Sequence, residues 1–123
     1  MKKFEFCEVF LRKDGIVQII LFPSIDVTPG HVKIMLETSL ELTNGIPTPI
    51  LMFIGEFSTF GKEAREYSAN PENIKAVSAI AYVIDNLGHK LVINFFMKIN
   101  KPPKPMKMFM DETSAVDWLL QYK

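Results

Sequence analysis

Six polar side chains lie just beyond the ends of predicted strands. They are Glu56, Ser58, Thr59, Asp85, His89 and Asp111. In an open parallel sheet, ligands bind outside the carboxyl ends of the strands, so these side chains would share one rim. Carboxylates, hydroxyls and an imidazole there predict a small polar site for a cation or a phosphate. A phosphate on Ser58 or Thr59 would also be favoured by the N-terminus of the following helix.

The same residue types have a second, structural use. Ser58 or Thr59, Asp85 and Asp111 each precede a predicted helix. Ser, Thr and Asp are preferred N-cap residues, because a side-chain oxygen accepts a hydrogen bond from an N–H group of the first turn. The rim is therefore either a site or a set of helix caps, and the sequence leaves both interpretations open.

The sequence contains no recognisable catalytic motif. His31 and His89 lie near two different predicted helix starts, and the chain has no Gly-x-Ser-x-Gly elbow, phosphate-cradling glycine loop or His-Glu-x-x-His pair. Cys7 is the single cysteine, which excludes an internal disulfide and the usual thiolate metal sites. It lies in an apolar run, where we expect a buried, inert thiol. We expect no catalytic residue, no metal and no cofactor, and hence a protein that is not an enzyme.

A different candidate site is a helix with two apolar faces. Within residues 87–105, one broad stripe at 100° per residue comprises Leu91, Val92, Phe95, Phe96 and Ile99. The opposite face comprises Lys90, Ile93, Asn94, Met97, Lys98 and Lys101. We call the segment between Asp85 or Asn86 and Pro102 the lysine-rich predicted helix. Its second face is either covered by residues 102–107 or 60–69, as ordinary core, or exposed as an interface.

Composition limits the classes of partner. The 123 residues are enough for one domain, 1–123, and 14 Lys and Arg balance 14 Asp and Glu. A net charge of zero gives no global field to attract nucleic acid. No apolar run approaches the roughly 20 residues of a membrane-spanning helix, and no secretory leader pattern opens the chain. We expect a cytoplasmic protein whose partner is another protein, including a second copy in a homodimer.

A lipid or small apolar ligand is the alternative partner. An adaptable pocket could be lined by methionines, of which the chain has seven, and by phenylalanines. The candidate phenylalanines are Phe10, Phe53, Phe57, Phe60, Phe95 and Phe96. The purely structural interpretation of the same residues is a phenylalanine-rich core.

Strands and helices alternate along the chain. Apolar runs at 4–11 and 16–22 flank Asp14-Gly15, which predicts an antiparallel hairpin. We then predict helix 28–43 with Thr28 as its cap, strand 49–54, helix 60–69 capped by Ser58 or Thr59, and a central strand, 76–84. The lysine-rich predicted helix, strand 106–110 and a terminal helix capped by Asp111 complete the order. The buried side of the terminal helix is predicted from Ala115, Trp118, Leu119 and Tyr122.

The order β-β-α-β-α-β-α-β-α predicts an α/β domain with a mixed, mainly parallel sheet of about five strands and four helices. Particular residues carry a family resemblance: Asp14-Gly15, Glu63-Ala64-Arg65, Ala79 and Ala81, Asn94-Phe95-Phe96, Lys98 to Pro105, and Phe109 with Ala115-Val116-Asp117-Trp118-Leu119. On these residues the chain resembles the STAS (SpoIIAA-like) superfamily, most closely its small uncharacterised bacterial branch of stand-alone domains. The resemblance implies a SpoIIAA-like fold and a regulatory or protein-interaction role.

Superfamily members that resemble anti-sigma-factor antagonists carry an Asp-Ser-Ser-Gly-type loop at the start of the second helix, where a partner kinase phosphorylates a serine. The matching place here reads Gly55-Glu56-Phe57-Ser58-Thr59-Phe60-Gly61, with hydroxyl residues present but no preceding Asp. Three functions follow in order: self-association through the third predicted helix, binding of an apolar ligand or lipid, and a phosphoswitch at Ser58 or Thr59.

Overall fold

A computed structural model of the protein describes residues 1–84 and 102–123. The lysine-rich predicted helix lies outside these described residues. Within them the strands are β1 (Lys2–Lys3), β2 (Cys7–Leu11), β3 (Val17–Leu21), β4 (Asp26–Val27), β5 (Thr48–Phe53), β6 (Thr59–Phe60), β7 (Val77–Val83) and β8 (Met106–Phe109). The helices are α1 (Pro29–Leu42), α2 (Lys62–Ser68) and α3 (Glu112–Leu119), and α3 continues into a 3₁₀ turn, Leu120–Tyr122.

The main sheet has six strands in the order β1-β2-β3-β5-β7-β8. The strands β3, β5, β7 and β8 are mutually parallel, and β1 and β2 are antiparallel additions at one edge. This confirms the predicted α/β class and mainly parallel sheet. The prediction of a central strand at 76–84 needs correction, because β7 is one strand from the β8 edge while β5 lies further inside.

The opening hairpin forms where Asp14-Gly15 predicts it. Leu11 lies opposite Val17, Gly15 adopts a positive φ of 86°, and the Asp14 carboxylate accepts a hydrogen bond from the Ile16 N–H. The first strand is shorter than predicted, because the chain turns at residues 4–7, where the Phe4 N–H donates to the Cys7 carbonyl. The two residues before that turn form β1, which accounts for the sixth strand.

Helix α1 begins and ends as its sequence predicts. Thr28 is the N-cap, and its Oγ1 accepts a hydrogen bond from the His31 N–H at 3.3 Å. After the helix, Asn44 and Gly45 both adopt positive φ, and the Gly45 N–H donates to the Leu40 carbonyl. Left-handed residues of this kind satisfy carbonyls that the last turn would leave without partners.

Apolar side chains cover both faces of the sheet. On one face, α1 and α2 pack over a core that includes Ile19, Met35, Ile50, Ala64 and Ile80. On the other face, Ala115 and Leu119 of α3 pack on Ile16, Leu51, Ala79 and Ala81. The two alanines of β7 admit α3 closely, and Trp118 and Tyr122 are half-buried beside them. The predicted buried side of the terminal helix is thus confirmed at its two fully buried positions.

Candidate functional site

Two loops meet where β3 and β5 end, at the carboxyl edge of the sheet. We call residues 22–25 and 55–58 the loop pair. A Cβ atom on Gly55 would overlap the carbonyl carbon and oxygen of Phe22, so this position admits no side chain. The Ser24 N–H also donates to the Glu56 carbonyl at 2.8 Å. The two loops are therefore joined by direct backbone contact.

The hydroxyl of Ser58 holds the loop pair together. It donates to the Phe22 carbonyl at 2.6 Å and accepts from the Ile25 N–H at 2.9 Å, and the residue is only 1% exposed. Without the Ser58 hydroxyl, the Phe22 carbonyl and the Ile25 N–H would each lose a hydrogen-bond partner. Buried donors and acceptors are costly to leave unpaired, so Ser58 stabilises the loop crossing.

The predicted cap at Ser58 or Thr59 is wrong. The N-cap of α2 is Gly61, which makes no side-chain capping bond. The chain first forms β6, which pairs in parallel with β4, and only then enters the helix at Lys62. A strand pairing that depends on residues more than thirty positions away cannot be read from the local pattern, which explains both the wrong cap and the late helix start.

Thr59 is exposed, unlike Ser58. Its hydroxyl donates to Oδ1 of Asp26 at 2.6 Å, across the two-stranded β4-β6 sheet. Backbone bonds from the Thr59 N–H to the Ile25 carbonyl and from the Gly61 N–H to the Val27 carbonyl complete this sheet. Of the two phosphoacceptor candidates, Thr59 has the accessible hydroxyl, and that hydroxyl is already bonded to a carboxylate.

Phe57 lies between these two hydroxyl residues and points into solvent. It is 69% exposed and has a positive φ of 64°. For a residue with a Cβ the left-handed conformation costs about 1–2 kcal/mol, and bulky residues rarely adopt it. The sequence offers Phe57 for a pocket or for the core, because a left-handed position is normally marked by Gly or Asn and nothing local indicates one here.

Of the remaining rim residues, the structure describes Glu56 and Asp111, and neither side chain is bonded to Ser58 or Thr59. The Glu56 side chain is exposed, and it is its backbone carbonyl that bonds Ser24. Asp111 caps α3, with its carboxylate accepting from the Ser114 N–H and hydroxyl, so the capping interpretation is confirmed there. Asp85 and His89 lie outside the described residues. Within residues 1–84 and 102–123, no three His, Cys, Asp or Glu side chains are grouped to hold a metal.

The interface predicted on the lysine-rich predicted helix lies outside the described residues. Its residues, Lys90, Ile93, Asn94, Met97, Lys98 and Lys101, all fall in the part of the chain that is not described. Self-association through them stays a prediction from the sequence.

Three of the phenylalanines proposed to line a pocket lie in different environments. Phe53 packs on the α3 side of the sheet and Phe60 on the opposite side, while Phe57 is in solvent. Phe60 lines a cavity of about 30 Å³ with Met35, Tyr82 and other apolar residues. A volume of that size admits about one water molecule, which is far below the 300–1,000 Å³ typical of ligand pockets.

Burial raises the pKa values of two ionisable side chains, so that both stay neutral further into the alkaline range. Burial raises the pKa of the Cys7 thiol from 9.0 to about 12, and the nearby Glu8 charge contributes to the increase. Burial likewise raises the pKa of Tyr82 from 10.0 to about 12. The expectation of a buried thiol is confirmed, and the raised pKa favours the neutral form, which is a poor nucleophile.

His31 has a structural role that its sequence position does not reveal. Its Nδ1 accepts from the Thr28 N–H at 3.0 Å, which completes a reciprocal capping box at the start of α1. The ring also packs on Phe6, with centroids 4.4 Å apart. A glutamate or glutamine usually makes this reciprocal bond, so a histidine three residues after the cap gives only a weak signal.

Comparison with solved structures supports the fold. An uncharacterised DUF3478-family protein with a SpoIIAA-like fold, from Shewanella loihica PV-4, superposes with a TM-score of 0.63 at 17% identity, covering 97% of this chain and 98% of that one. The predicted resemblance to the SpoIIAA-like superfamily is thereby confirmed at the level of the fold. A protein of unknown function from Arthrobacter sp. FB24 matches at 23% identity over 91% and 97% of the two chains, but its TM-score of 0.32 is too low to bear on the fold.

The described parts of the chain contain no helix with the length and apolarity needed to cross a membrane. Among curated proteins, none matches this sequence. A family model does match, over residues 10–123. Since that match spans nearly the whole chain, the protein belongs to the family described as a domain of unknown function, DUF7793.

Proposed function

We propose that this protein is a non-enzymatic protein-interaction module whose binding surface is the loop pair with Phe57 at its tip. One observation carries the proposal. Phe57 exposes a large aromatic side chain to solvent, and its backbone adopts a left-handed conformation that is unfavourable for a bulky residue. Neither the exposure nor the conformation stabilises the folded chain. Residues in such sparsely populated conformations persist where the surroundings enforce them, and they concentrate at functional sites.

The surroundings of Phe57 enforce its position. Gly55 and Ser58 on either side of it are tied to residues 22–25 by backbone contact and by the Ser58 hydroxyl. A backbone that is already fixed loses little conformational freedom on binding, which improves affinity. Aromatic residues are enriched among the interface positions that dominate binding energy, and burying a phenylalanine contributes about 1.5–3 kcal/mol.

The polar groups of the loop pair favour a structural use over a catalytic one. The Ser58 hydroxyl both donates and accepts within the loops, and the Thr59 hydroxyl is bonded to Asp26. Within the described residues, His31 is engaged in the cap of α1. A histidine usually activates a hydroxyl nucleophile, and neither the bonds of the Ser58 hydroxyl nor the bond of the Thr59 hydroxyl to the Asp26 carboxylate includes one.

Photocross-linking in living cells tests the proposal. The photoreactive residue benzoylphenylalanine replaces Phe57 in the full chain, and a matched chain carries it at Leu120, which is also exposed. The captured protein is then purified and titrated against the wild-type chain. We expect Phe57→Ala to weaken binding at least about tenfold, as for a dominant interface residue, and Leu120→Ala to leave it unchanged. Equal affinities for the wild type and Phe57→Ala would reject the loop pair as the surface.

Self-association is a separate part of the proposal and rests on the sequence pattern of the lysine-rich predicted helix. A two-fold contact would cover Ile93 and Met97 while the lysines stay at its rim. We expect Met97→Glu to convert the oligomer into a folded monomer, measured by light scattering with circular dichroism as the check on folding. If the Met97→Glu variant has the same molecular mass as the wild type, or if the wild type is already monomeric, the hypothesis of self-association is rejected.

A phosphoswitch is a second candidate, favoured by the exposure of Thr59 and its contact with Asp26. A phosphate on Thr59 would add about two negative charges beside that carboxylate and break the 2.6 Å hydrogen bond. We expect Thr59→Glu to loosen the β4-β6 pairing and so raise amide exchange at Thr59 and Gly61, while Thr59→Val gives a smaller increase. Mass spectrometry of the protein from its own cells would reject the switch if neither Thr59 nor Ser58 carried phosphate under any growth condition.

The apolar-ligand alternative rests on composition alone. Native mass spectrometry of freshly purified protein tests it, since a retained lipid or metabolite would appear as added mass. A clean mass for the bare chain would count against it.

A further inference from the structure

The charges around Phe57 identify the kind of protein that would cover it. We infer that the partner presents an apolar pocket rimmed by lysine and arginine side chains, an inference that rests on the proposed role of the loop pair. Phe57 fills the pocket, and the carboxylates that flank it on this chain face the basic rim.

The loop pair lies in an acidic part of a neutral protein. Residues 22–27 and 55–66 contain four carboxylates, against the two cations Lys62 and Arg65. The carboxylates are Asp26, Glu56, Glu63 and Glu66. Lys62 is itself 3.9 Å from Glu66, one turn along α2, and this pair leaves Asp26, Glu56 and Glu63 against the single cation Arg65. Because the whole chain has a net charge of zero, the excess of carboxylates belongs to these two segments and not to the chain as a whole.

Three of these carboxylates are tied to the position of Phe57. Glu56 precedes it and is exposed. Asp26 is held through its bond to the Thr59 hydroxyl, two residues further along. Glu63 lies in the first turn of α2, which follows β6 directly. A carboxylate is thus present on the loop that carries Phe57, on β4, which pairs with β6, and in the first turn of α2.

This pattern selects among classes of partner. Charges at the rim of an interface steer the encounter and suppress partners of the same sign. Phosphate-bearing surfaces, whether lipid or nucleic acid, would be repelled by these carboxylates. A protein pocket with a basic rim is attracted, and its apolar floor buries the aromatic ring, in the arrangement of an apolar interface centre inside a polar rim.

A library of single-domain binders, displayed on phage and selected against the full wild-type chain, tests the inference. Each recovered binder is titrated against the wild type and Phe57→Ala, which divides the binders into Phe57-dependent and Phe57-independent groups. We expect the randomised positions of the dependent group to be richer in Lys and Arg than those of the independent group. We also expect their affinity to fall when salt is raised from about 0.05 to 0.5 M, as for partly exposed charge pairs.

Charge variants of this chain provide the matched control. The double change Glu56→Gln and Glu63→Gln should weaken dependent binders roughly tenfold. Glu41→Gln with Asp117→Asn removes the same charge from exposed positions on α1 and α3 and should have no effect. If dependent binders show neither the basic excess nor the salt effect, the inferred partner chemistry is wrong and the loop pair remains an interaction surface. If no binder depends on Phe57, both ideas fail.

Discussion

At the scale of single residues, Ser58 and Phe57 divide structural and binding roles between neighbouring positions. Ser58 is buried and satisfies two backbone groups from another loop, whereas Phe57 is exposed and conformationally strained. The sequence predicts a hydroxyl-bearing loop in this region but not this division. Burial of Ser58 depends on a crossing loop more than thirty residues away, and that information is absent from the local pattern.

The strain at Phe57 should be measurable as stability. Phe57→Gly removes the left-handed penalty, partly offset by the greater freedom of glycine in the unfolded chain, so we expect the free energy of unfolding to rise by about 0.5–1 kcal/mol. Phe57→Ala is the matched control, because alanine retains the Cβ atom and the penalty. Urea unfolding of the three proteins measures the difference. A glycine variant no more stable than the alanine variant would show that the position is unstrained.

Ser58 should behave in the opposite way. Ser58→Ala leaves the Phe22 carbonyl and the Ile25 N–H without their partner, and we expect a loss of about 2–3 kcal/mol in the free energy of unfolding. The control is Ser68→Ala, since the Ser68 hydroxyl bonds only to the Ala64 carbonyl in its own helix. That change should cost less than about 0.5 kcal/mol, because alanine is the better helix former. Equal losses in the two variants would contradict the role assigned to Ser58.

At the scale of elements, caps and turns were predictable where their determinants are local. Thr28, Pro29 and Asn44-Gly45 define α1, Asp14-Gly15 defines the hairpin, and Asp111 caps α3, each within four residues of the feature it sets. The start of α2 was mispredicted because β6 intervenes, and β6 exists only through its pairing with β4. An element boundary was predicted correctly where the contact that sets it is local, and incorrectly where that contact joins residues far apart in the sequence.

The cap of α1 offers a test at this scale. His31→Ala removes the acceptor for the Thr28 N–H and the ring that packs on Phe6, and we expect a loss of about 1–2 kcal/mol in the free energy of unfolding. His31→Gln keeps a side chain able to accept in a capping box and should recover part of the loss. Thermal or urea unfolding provides the measurement, and a glutamine variant as unstable as the alanine variant would assign the effect to packing alone.

At the scale of the whole molecule, the core on the α1 and α2 side of the sheet predicts a specific response to alkali. Burial raises the pKa of Cys7 and of Tyr82 to about 12, above their ordinary values of 9.0 and 10.0. The folded protein therefore keeps protons that the unfolded chain releases. The stability associated with these groups is fully present below about pH 9 and decreases as the pH rises toward 12.

Unfolding measured from pH 7 to pH 11 tests this dependence. Tyr82→Phe and Cys7→Ala each remove one ionisable group, so each should reduce the decline above pH 9, whatever its effect on stability at pH 7. A decline as steep in the double variant as in the wild type would assign the alkaline sensitivity to other residues.

The fold class, the parallel sheet and the SpoIIAA-like likeness were predictable because alternating strand and helix patterns specify crossovers. The candidate site was only partly predictable. Its location at the carboxyl edge follows from the topology, but the identity of the exposed residue depends on how two loops cross there.

That crossing also imposes an order on folding. The bonds of the Ser58 hydroxyl join residues that are 33 and 36 positions apart in the chain, whereas the hairpin pairs run only from Leu11 with Val17 to Cys7 with Leu21. Contacts of long sequence separation form only after the intervening chain has been brought into place, at an entropic cost that local contacts do not bear. The crossover through α1 and β5 must therefore be complete before Phe57 is presented. A partner that recognises Phe57 in this position would select chains that have finished folding over those that have not.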